Sequence, residues 1–288
     1  MATLKAIRRR IASVQSTQQV TRAMKLVSAA KLRRAQEALL NDRPYAESLS
    51  KLAGSVLAGQ QMEPPPGAKP SVLITVITSD RGLCGGYNAN LLRHAEEQAD
   101  EMRREGLEPT FFAVGRKAVE HFKREGTPLV GQQINNTPRL ATMELASSIA
   151  EMMLSEFRAG QFQQTAVIYS QFRSALSQRP TYERILPVEA AGTQPVEGVA
   201  GPTEYLIEPS RAELLPVIIQ SYVESAVFHA LLEAEASEHA ARMTAMDSAS
   251  NNAADMIDRL TLEMNRARQA GITRELMDIV GGAEALAG

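Results

Sequence analysis

Leu4, Ile7, Ile11 and Val14 fall three, four and three residues apart, the stride of a coiled-coil seam. The pattern loosens over Gln15–Gln19, and Val20, Met24 and Val27 are expected to resume it. Near the other end Ala253, Ile257, Leu260, Met264, Ala267 and Gly271 step by 4, 3, 4, 3 and 4. Residues 1–43 and 217–270 contain neither glycine nor proline. Each stretch therefore predicts one continuous helix, roughly 65 Å and 80 Å long at about 1.5 Å per residue. Two seams of matching stride at opposite ends predict pairing with each other, antiparallel because the chain leaves the middle and returns. The alternative, two separate amphipathic helices lying on the middle domain, fits poorly: a domain of about 140 residues is only about 30 Å across.

Between the helices the periodicity changes. Val72–Thr78 is a short β-branched run of the kind found in buried parallel strands. Phe111–Val114, Thr165–Gln171 and Tyr182–Val188 read as further strands, and Asn88–Glu105, Lys117–Arg124 and Leu140–Phe157 as helices. Strand alternating with helix predicts an α/β fold with a Rossmann-like domain and a mainly parallel sheet. The expected organisation is an N-terminal helix over 1–58, an α/β domain over 70–208 and a C-terminal helix over 209–288. Pro64–Gly67 marks a linker, and the small-residue segment 189–202 a surface loop.

Charge changes the picture at one end only. The formal net charge is −2, yet residues 1–40 carry nine Lys or Arg against Glu37 alone, so the remaining residues total −10. A basic helix suits nucleic acid, an anionic membrane or an acidic protein partner. Nucleic acid is disfavoured because no aromatic residues are interleaved for base stacking. No run of 18 or more apolar residues suggests a membrane span, and the N-terminus lacks an apolar signal core. With Cys84 as its only cysteine, the chain has no disulfide framework and no thiol zinc site, and Cys84 is expected to be a small buried residue.

Candidate chemistry is sparse. The turn after the first strand, Gly82-Leu83-Cys84-Gly85-Gly86, lies where dinucleotide and phosphate sites form, but it matches neither GxGxxG nor GxxxxGK[ST]. Its glycines are explained by a tight turn and close helix packing. His94, His121, His229 and His239 show no ligand spacing. Polar clusters at Ser16–Gln19 and Ser248–Asn252 interrupt the helical runs, as suits a helix pair that turns against a surrounding wall.

Three separated blocks carry a family resemblance: AMKLVSAAKLRRAQ (23–36), ITSDRGLCGGYNANL (77–91) and the run SEHAARMTAMDSASNN…ARQAGITRELMDIVGGAEAL (237–286). In this order and at this spacing the chain resembles the gamma subunit of the rotary ATP synthase over essentially its whole length. The resemblance implies a long antiparallel coiled coil of the N- and C-terminal helices, one copy inside a hexameric ring of alpha and beta subunits. It also implies a domain meeting the epsilon subunit and the c-ring. The chain would then couple ion flow to conformational cycling of the beta-subunit catalytic sites. It would have no catalytic residue, cofactor or metal of its own and no direct membrane insertion, and would sit peripherally on the cytoplasmic face of a bacterial plasma (inner) membrane.

Met24, Lys25, Val27 and Arg242 match the family's contact with the lever of the beta subunit, and Arg268, Gln269 and Thr273 its contact with a beta-subunit loop. Without the family, Met24 reads as coiled-coil core, and Arg242 and Arg268 as solvated helix charge. The chloroplast relatives' regulatory cysteine pair has no counterpart here. The alternatives are a non-rotary coiled-coil adaptor and a nucleotide-dependent enzyme with helical dimerisation arms. An adaptor should tolerate self-pairing of its arms, and an enzyme should bind ligand at Gly82–Gly86.

Overall fold

The structure, a computed structural model, describes residues 4–57, 62–134, 139–188 and 210–287. The chain forms two compact units, one from Met1–Val27 with Met243–Gly288 and one from Ser28–Arg242. Helices α1 (Leu4–Val56) and α5 (Arg211–Ala287) contribute to both.

The larger unit is built on strands β1 (Ser71–Ile77), β2 (Glu108–Val114), β3 (Leu129–Gln133), β4 (Gln164–Ser174) and β5 (Ser177–Leu186). They form one sheet in the order β3-β2-β1-β4-β5, parallel except for β5, which returns antiparallel along β4. The helices α2 (Tyr87–Arg104), α3 (Arg116–Glu125) and α4 (Met143–Arg158) alternate with the strands. Every residue of β1 is buried, and its side chains divide by the two-residue period of a strand. Val72, Ile74 and Val76 pack with Leu91, Ala95 and Phe122 of α2 and α3, whereas Leu73 and Ile77 pack with residues of α4 and α5. The continuous β-branched run is thus the centre of a sheet covered on both faces, as expected from the sequence.

The differences from expectation have local causes. β3 was not expected: Leu129-Val130-Gly131-Gln132-Gln133 is a half-exposed edge strand without an apolar run. Gly131 is required there, because a Cβ would lie 2.7 Å from the Phe112 ring. α4 starts at Met143 rather than Leu140. The Thr142 hydroxyl caps it by accepting from Leu145 N, and the preceding Ala141 N donates to Glu235 at 2.9 Å. β5 spans Ser177–Leu186 where Tyr182–Val188 was expected, since the hairpin with β4 pairs polar residues as far as Ser174 and Ser177. The expected surface loop over 189–202 lies outside the described residues.

α5 is the core helix of this unit. Ala230–Ser237 are buried on every side, and part of α5 reaches a mean hydropathy of 1.4 over 18 residues. By length and composition alone such a helix can cross a membrane, a property that a count of consecutive apolar residues does not reveal. Only 39% of that stretch is buried, so all-round burial in the core does not by itself account for its composition.

In the smaller unit, the two helices pair antiparallel. Lys25 Nζ bonds Asp247 Oδ1 at 2.6 Å, and Gln18 Nε2 donates to Ser250 O at 3.5 Å. Counting outward from these contacts brings Ile7 opposite about residues 261–265, one position past Leu260, and both Ile7 and Leu260 are buried. The less exposed positions on α5 include Met246, Ser250, Ala253, Ile257, Leu260, Met264, Ala267 and Gly271, which follow the expected seam, together with flanking Ala254, Thr261 and Asn265. On α1 they are Leu4, Ile7, Ile11, Val14, Gln18, Thr21, Met24 and Lys25. The heptad therefore does not loosen. It runs on through polar residues, and Val20 and Val27, expected in the seam, are 55% and 58% exposed.

Gly115 holds the larger unit's most demanding close approach. It has φ +91° and precedes α3, and a Cβ there would lie 2.2 Å from Thr78 O. Gly115→Ala is expected to destabilise the unit by roughly 2–4 kcal/mol in chemical denaturation. Gly126→Ala, at φ +70° in open space, should cost only about 1–2 kcal/mol. Equal losses would mean that the close approach contributes nothing.

Candidate functional site

In an open parallel sheet, ligands bind outside the carboxyl ends of the strands, where the strand order reverses. Here that point lies between β1 and β4, and α5 occupies it. Ser237 Oγ donates to Ser170 O at 2.7 Å, and Glu233 Oε2 accepts from Phe172 N at 2.6 Å, both at the end of β4. Tyr87 Oη, from the first turn of α2, donates to Ala234 O at 3.2 Å. Arg242 Nη2 reaches the turn after β1, donating to Arg81 O at 3.3 Å and Gly82 O at 3.4 Å. A phosphate cradle presents N–H groups. This turn presents carbonyl oxygens to a cation of its own chain.

The turn is held at several further points. Ser79 N donates to Asn88 Oδ1 at 3.0 Å, and Asp80 Oδ1 accepts from Arg116 N at the start of α3 at 2.8 Å. Leu83 is left exposed at φ +63°, in the left-handed region that branched and bulky side chains seldom adopt. Cys84 is buried, as expected, and burial pushes its thiol pKa up. A thiol held protonated is a poor nucleophile.

Arg242, expected as a partner contact, is only 8% exposed. Its Nη1 bonds Glu238 Oε1 at 2.6 Å, one turn earlier on α5, and lies 3.5 Å from His239 Nδ1. Burial raises the pKa of Glu238, opposed by the Arg242 charge. Burial first, then Arg242 and Lys31, lower His239 to about 4, so the imidazole is neutral near pH 7. Sequence reading missed Glu233, Glu235 and Ser237. Carboxylates in an Ala-rich helical run are a usable signal, because buried acids require partners.

The other expected contact residues lie in the smaller unit. Val20, Met24 and Val27 are spaced i, i+4, i+7 along α1 and form an apolar stripe beside the seam, with Leu26 also exposed and Met24 half-buried. Lys25 is tied to Asp247. Leu4 comes opposite about residue 264–268 by the register above, so α5 continues past the described start of α1. Arg268, Gln269 and Thr273 lie in that continuation and are exposed, as are Ile272, Leu276, Ile279 and Val280. Among the described residues no cluster of three His, Cys, Asp or Glu is placed to hold a metal.

These features define an α/β unit whose ligand crevice is filled by its own helix, together with an intrachain helix pair that turns apolar side chains outward. Comparison with known proteins gives the same answer from the whole sequence. The family model described as ATP synthase matches residues 3–286. The ATP synthase gamma chain of Pelotomaculum thermopropionicum is 45% identical over 99% of this chain and 100% of that one. That of Geobacter metallireducens is 43% identical over the full length of both. Among solved structures, the central stalk and c-ring structure of the Tetrahymena thermophila mitochondrial ATP synthase matches at 26% identity with a TM-score of 0.61. It covers 80% of this chain and 99% of that one. A chain of the Euglena gracilis mitochondrial ATP synthase in rotational state 3 shares the fold, with a TM-score of 0.70, 21% identity and coverage of 98% and 94%. The chain belongs to the ATP synthase gamma-chain family.

Arg242→Met leaves Glu238 buried without its cation, and is expected to cost about 3–5 kcal/mol in chemical denaturation. The double variant Arg242→Met/Glu238→Met should recover much of that loss; additive losses would show that the two side chains do not act as a pair. His239 has a second, pH-dependent consequence. Its folded pKa lies below the ordinary 6.5, so its contribution is complete above about pH 6.5 and is lost as pH falls toward 4. Between pH 7 and 4.5 the wild-type chain should lose about 2–3 kcal/mol more than His239→Gln. Equal acid sensitivity of the two would rule this out.

Proposed function

We infer that this chain is the central rotor shaft of an ATP synthase, coupling ion flow to the conformational cycle of catalytic sites carried by other subunits. The observation that carries this is the pairing of the chain's own two ends, through Lys25–Asp247 and Gln18–Ser250, in a chain matched end to end by gamma chains. An adaptor joins chains by pairing its helices with partners, whereas a shaft must close its helix pair within one polypeptide.

The chemistry of the surfaces suits that role. The stripe Val20, Met24 and Val27 is apolar, and Met is adaptable enough to face a partner that changes shape. Arg268, Gln269 and Thr273 offer exposed hydrogen-bonding groups toward a beta-subunit loop, where the Arg fork suits a carboxylate. Arg242 serves as a positioning residue, fixing the Gly82 turn from below. An asymmetric helix pair inside a ring of alternating alpha and beta subunits touches chemically identical sites differently. It favours a different conformation at each, and turning it moves those preferences around the ring. Bond chemistry then belongs to the beta subunits, with the epsilon subunit and the c-ring as further partners. The whole assembly lies peripherally on the cytoplasmic face of a bacterial inner membrane.

Mixing the chain with purified alpha and beta subunits tests this reading. One copy should enter each hexamer of three alpha and three beta subunits and raise steady-state ATP hydrolysis. Absence of association, or several copies per complex, would return the adaptor to first place.

A further inference from the structure

The larger unit carries a cleft of about 370 Å³ lined by Arg43, Ala46, Glu47, Ser50, Lys51 and His229. Nothing described so far uses it. Its wall is one face of α1, where Arg43, Glu47 and Lys51 follow one another at i+4 and all three are exposed. His229 enters from α5, its Nδ1 3.0 Å from Asp42 Oδ2, and that bond raises its pKa against the effect of burial. Asp42 and Glu233, the acids beside the imidazole, have buried side chains, Glu183 also acts on the imidazole, and the Arg43 charge opposes the rise that burial causes in the Glu233 pKa.

Among the described residues neither Arg43 nor Lys51 makes an ion pair, although Glu47 stands between them. The surroundings make this patch unusual. Residues 1–27 hold six Lys or Arg and no acid, and residues 243–288 hold four Arg against seven acids, so the smaller unit is +3 and the larger −5. These two cations therefore stand on a unit that is acidic as a whole. Such a unit repels an extended polyanionic surface at long range and attracts carboxylates only locally. Leu40, 64% exposed, sits one turn before Arg43 in the same row of α1 and adds an apolar foothold that an inorganic anion would not use.

We propose that Leu40, Arg43 and Lys51, with His229 at the cleft, form a docking groove for an acidic amphipathic segment of a partner polypeptide. Arg43 and Lys51 lie eight residues apart, about 12 Å along the helix. The segment must therefore offer two carboxylates at that separation, as a helix does at i and i+8 or a strand at i and i+4. An apolar side chain beyond them rests on Leu40. The groove needs only the folded larger unit; that its partner is a subunit of the same complex rests on the shaft reading above.

The first test uses the full-length chain alone. A synthetic helical peptide with two Glu eight residues apart and one Leu is titrated against it by fluorescence anisotropy. Arg43→Gln/Lys51→Gln should weaken binding about 3- to 30-fold, the range expected for two exposed ion pairs. Gln in place of the peptide's Glu should cost as much. Equal binding by wild type and variant, or protection of Lys51 from acetylation by phosphatidylglycerol vesicles but not by the peptide, would overturn the proposal. In the isolated holoenzyme a zero-length carbodiimide should join Lys51 to an Asp or Glu of another subunit. Single-copy assembly in which Lys51 joins only Glu47 would overturn the groove and leave the shaft standing. Peptide binding by a chain that fails to enter the hexamer would do the reverse.

Discussion

The larger unit depends on the way α5 satisfies polar backbone at the carboxyl ends of β1 and β4. A parallel sheet leaves N–H and C=O groups there, and in many folds a ligand or water takes them. In this chain Glu233, Ser237 and Arg242 take them from one helix, and Glu235 adds Ala141 N ahead of α4. A helix buried on all sides would gain hydrophobic stabilisation from any apolar sequence. These four polar residues add something different, a single rotation and height at which all four of them meet their backbone partners. Displacing the helix by one residue would take Glu233 and Glu235 from the backbone N–H groups they accept from and Arg242 from the carbonyls of the Gly82 turn, which costs several kcal/mol. The arrangement thus trades some stability against an apolar core for a fixed position of α5.

The smaller unit is held on other terms. Its seam carries Gln18, Thr21 and Ser250 where an ordinary two-helix coil would place apolar residues. Among the described residues the cross-helix polar contacts include one ion pair and one hydrogen bond at the limit of length, the ion pair being exposed enough to contribute about 0.2–1 kcal/mol. Apolar packing is concentrated around Ile7, Ala253 and Leu260. Polar seam residues fix register more than they add stability. A shaft that must turn inside a ring benefits from that balance, since the apolar side chains left outside the seam remain available to the wall.

This division determines how much of the fold and the site is legible in the sequence. The parallel sheet is legible because β1 is buried on both faces, and a run in which five of seven residues, Val72, Ile74, Thr75, Val76 and Ile77, are β-branched suits few positions other than a central strand. The seam of α5 is legible because its positions are apolar or small. The seam of α1 is misread past Val14 when apolarity is followed where geometry alone keeps the heptad. Val20 and Val27 are one position off the stripe, and Thr21 is on it. β3 is invisible, since an edge strand of Leu-Val-Gly-Gln-Gln owes its conformation to its neighbour β2. Arg242 reads as solvated charge, and only the fold shows the guanidinium beneath the Gly82 turn.

The flank of α1 carries a pattern of its own beside the seam. A residue placed one position from a heptad seam is rotated by about 100°, from the partner helix to the flank. Val20, Met24 and Val27 keep a regular stride of their own, so the flank is patterned and not merely tolerated. An apolar stripe in water is unfavourable by about 25 cal/mol for each Å² that a partner could cover. A chain that keeps such a stripe beside a polar seam has its apolar residues on the side where a second molecule is needed. The sequence alone could not distinguish the two stripes, because both have coiled-coil spacing. Their separation required the register, and Lys25–Asp247 with Gln18–Ser250 supply it.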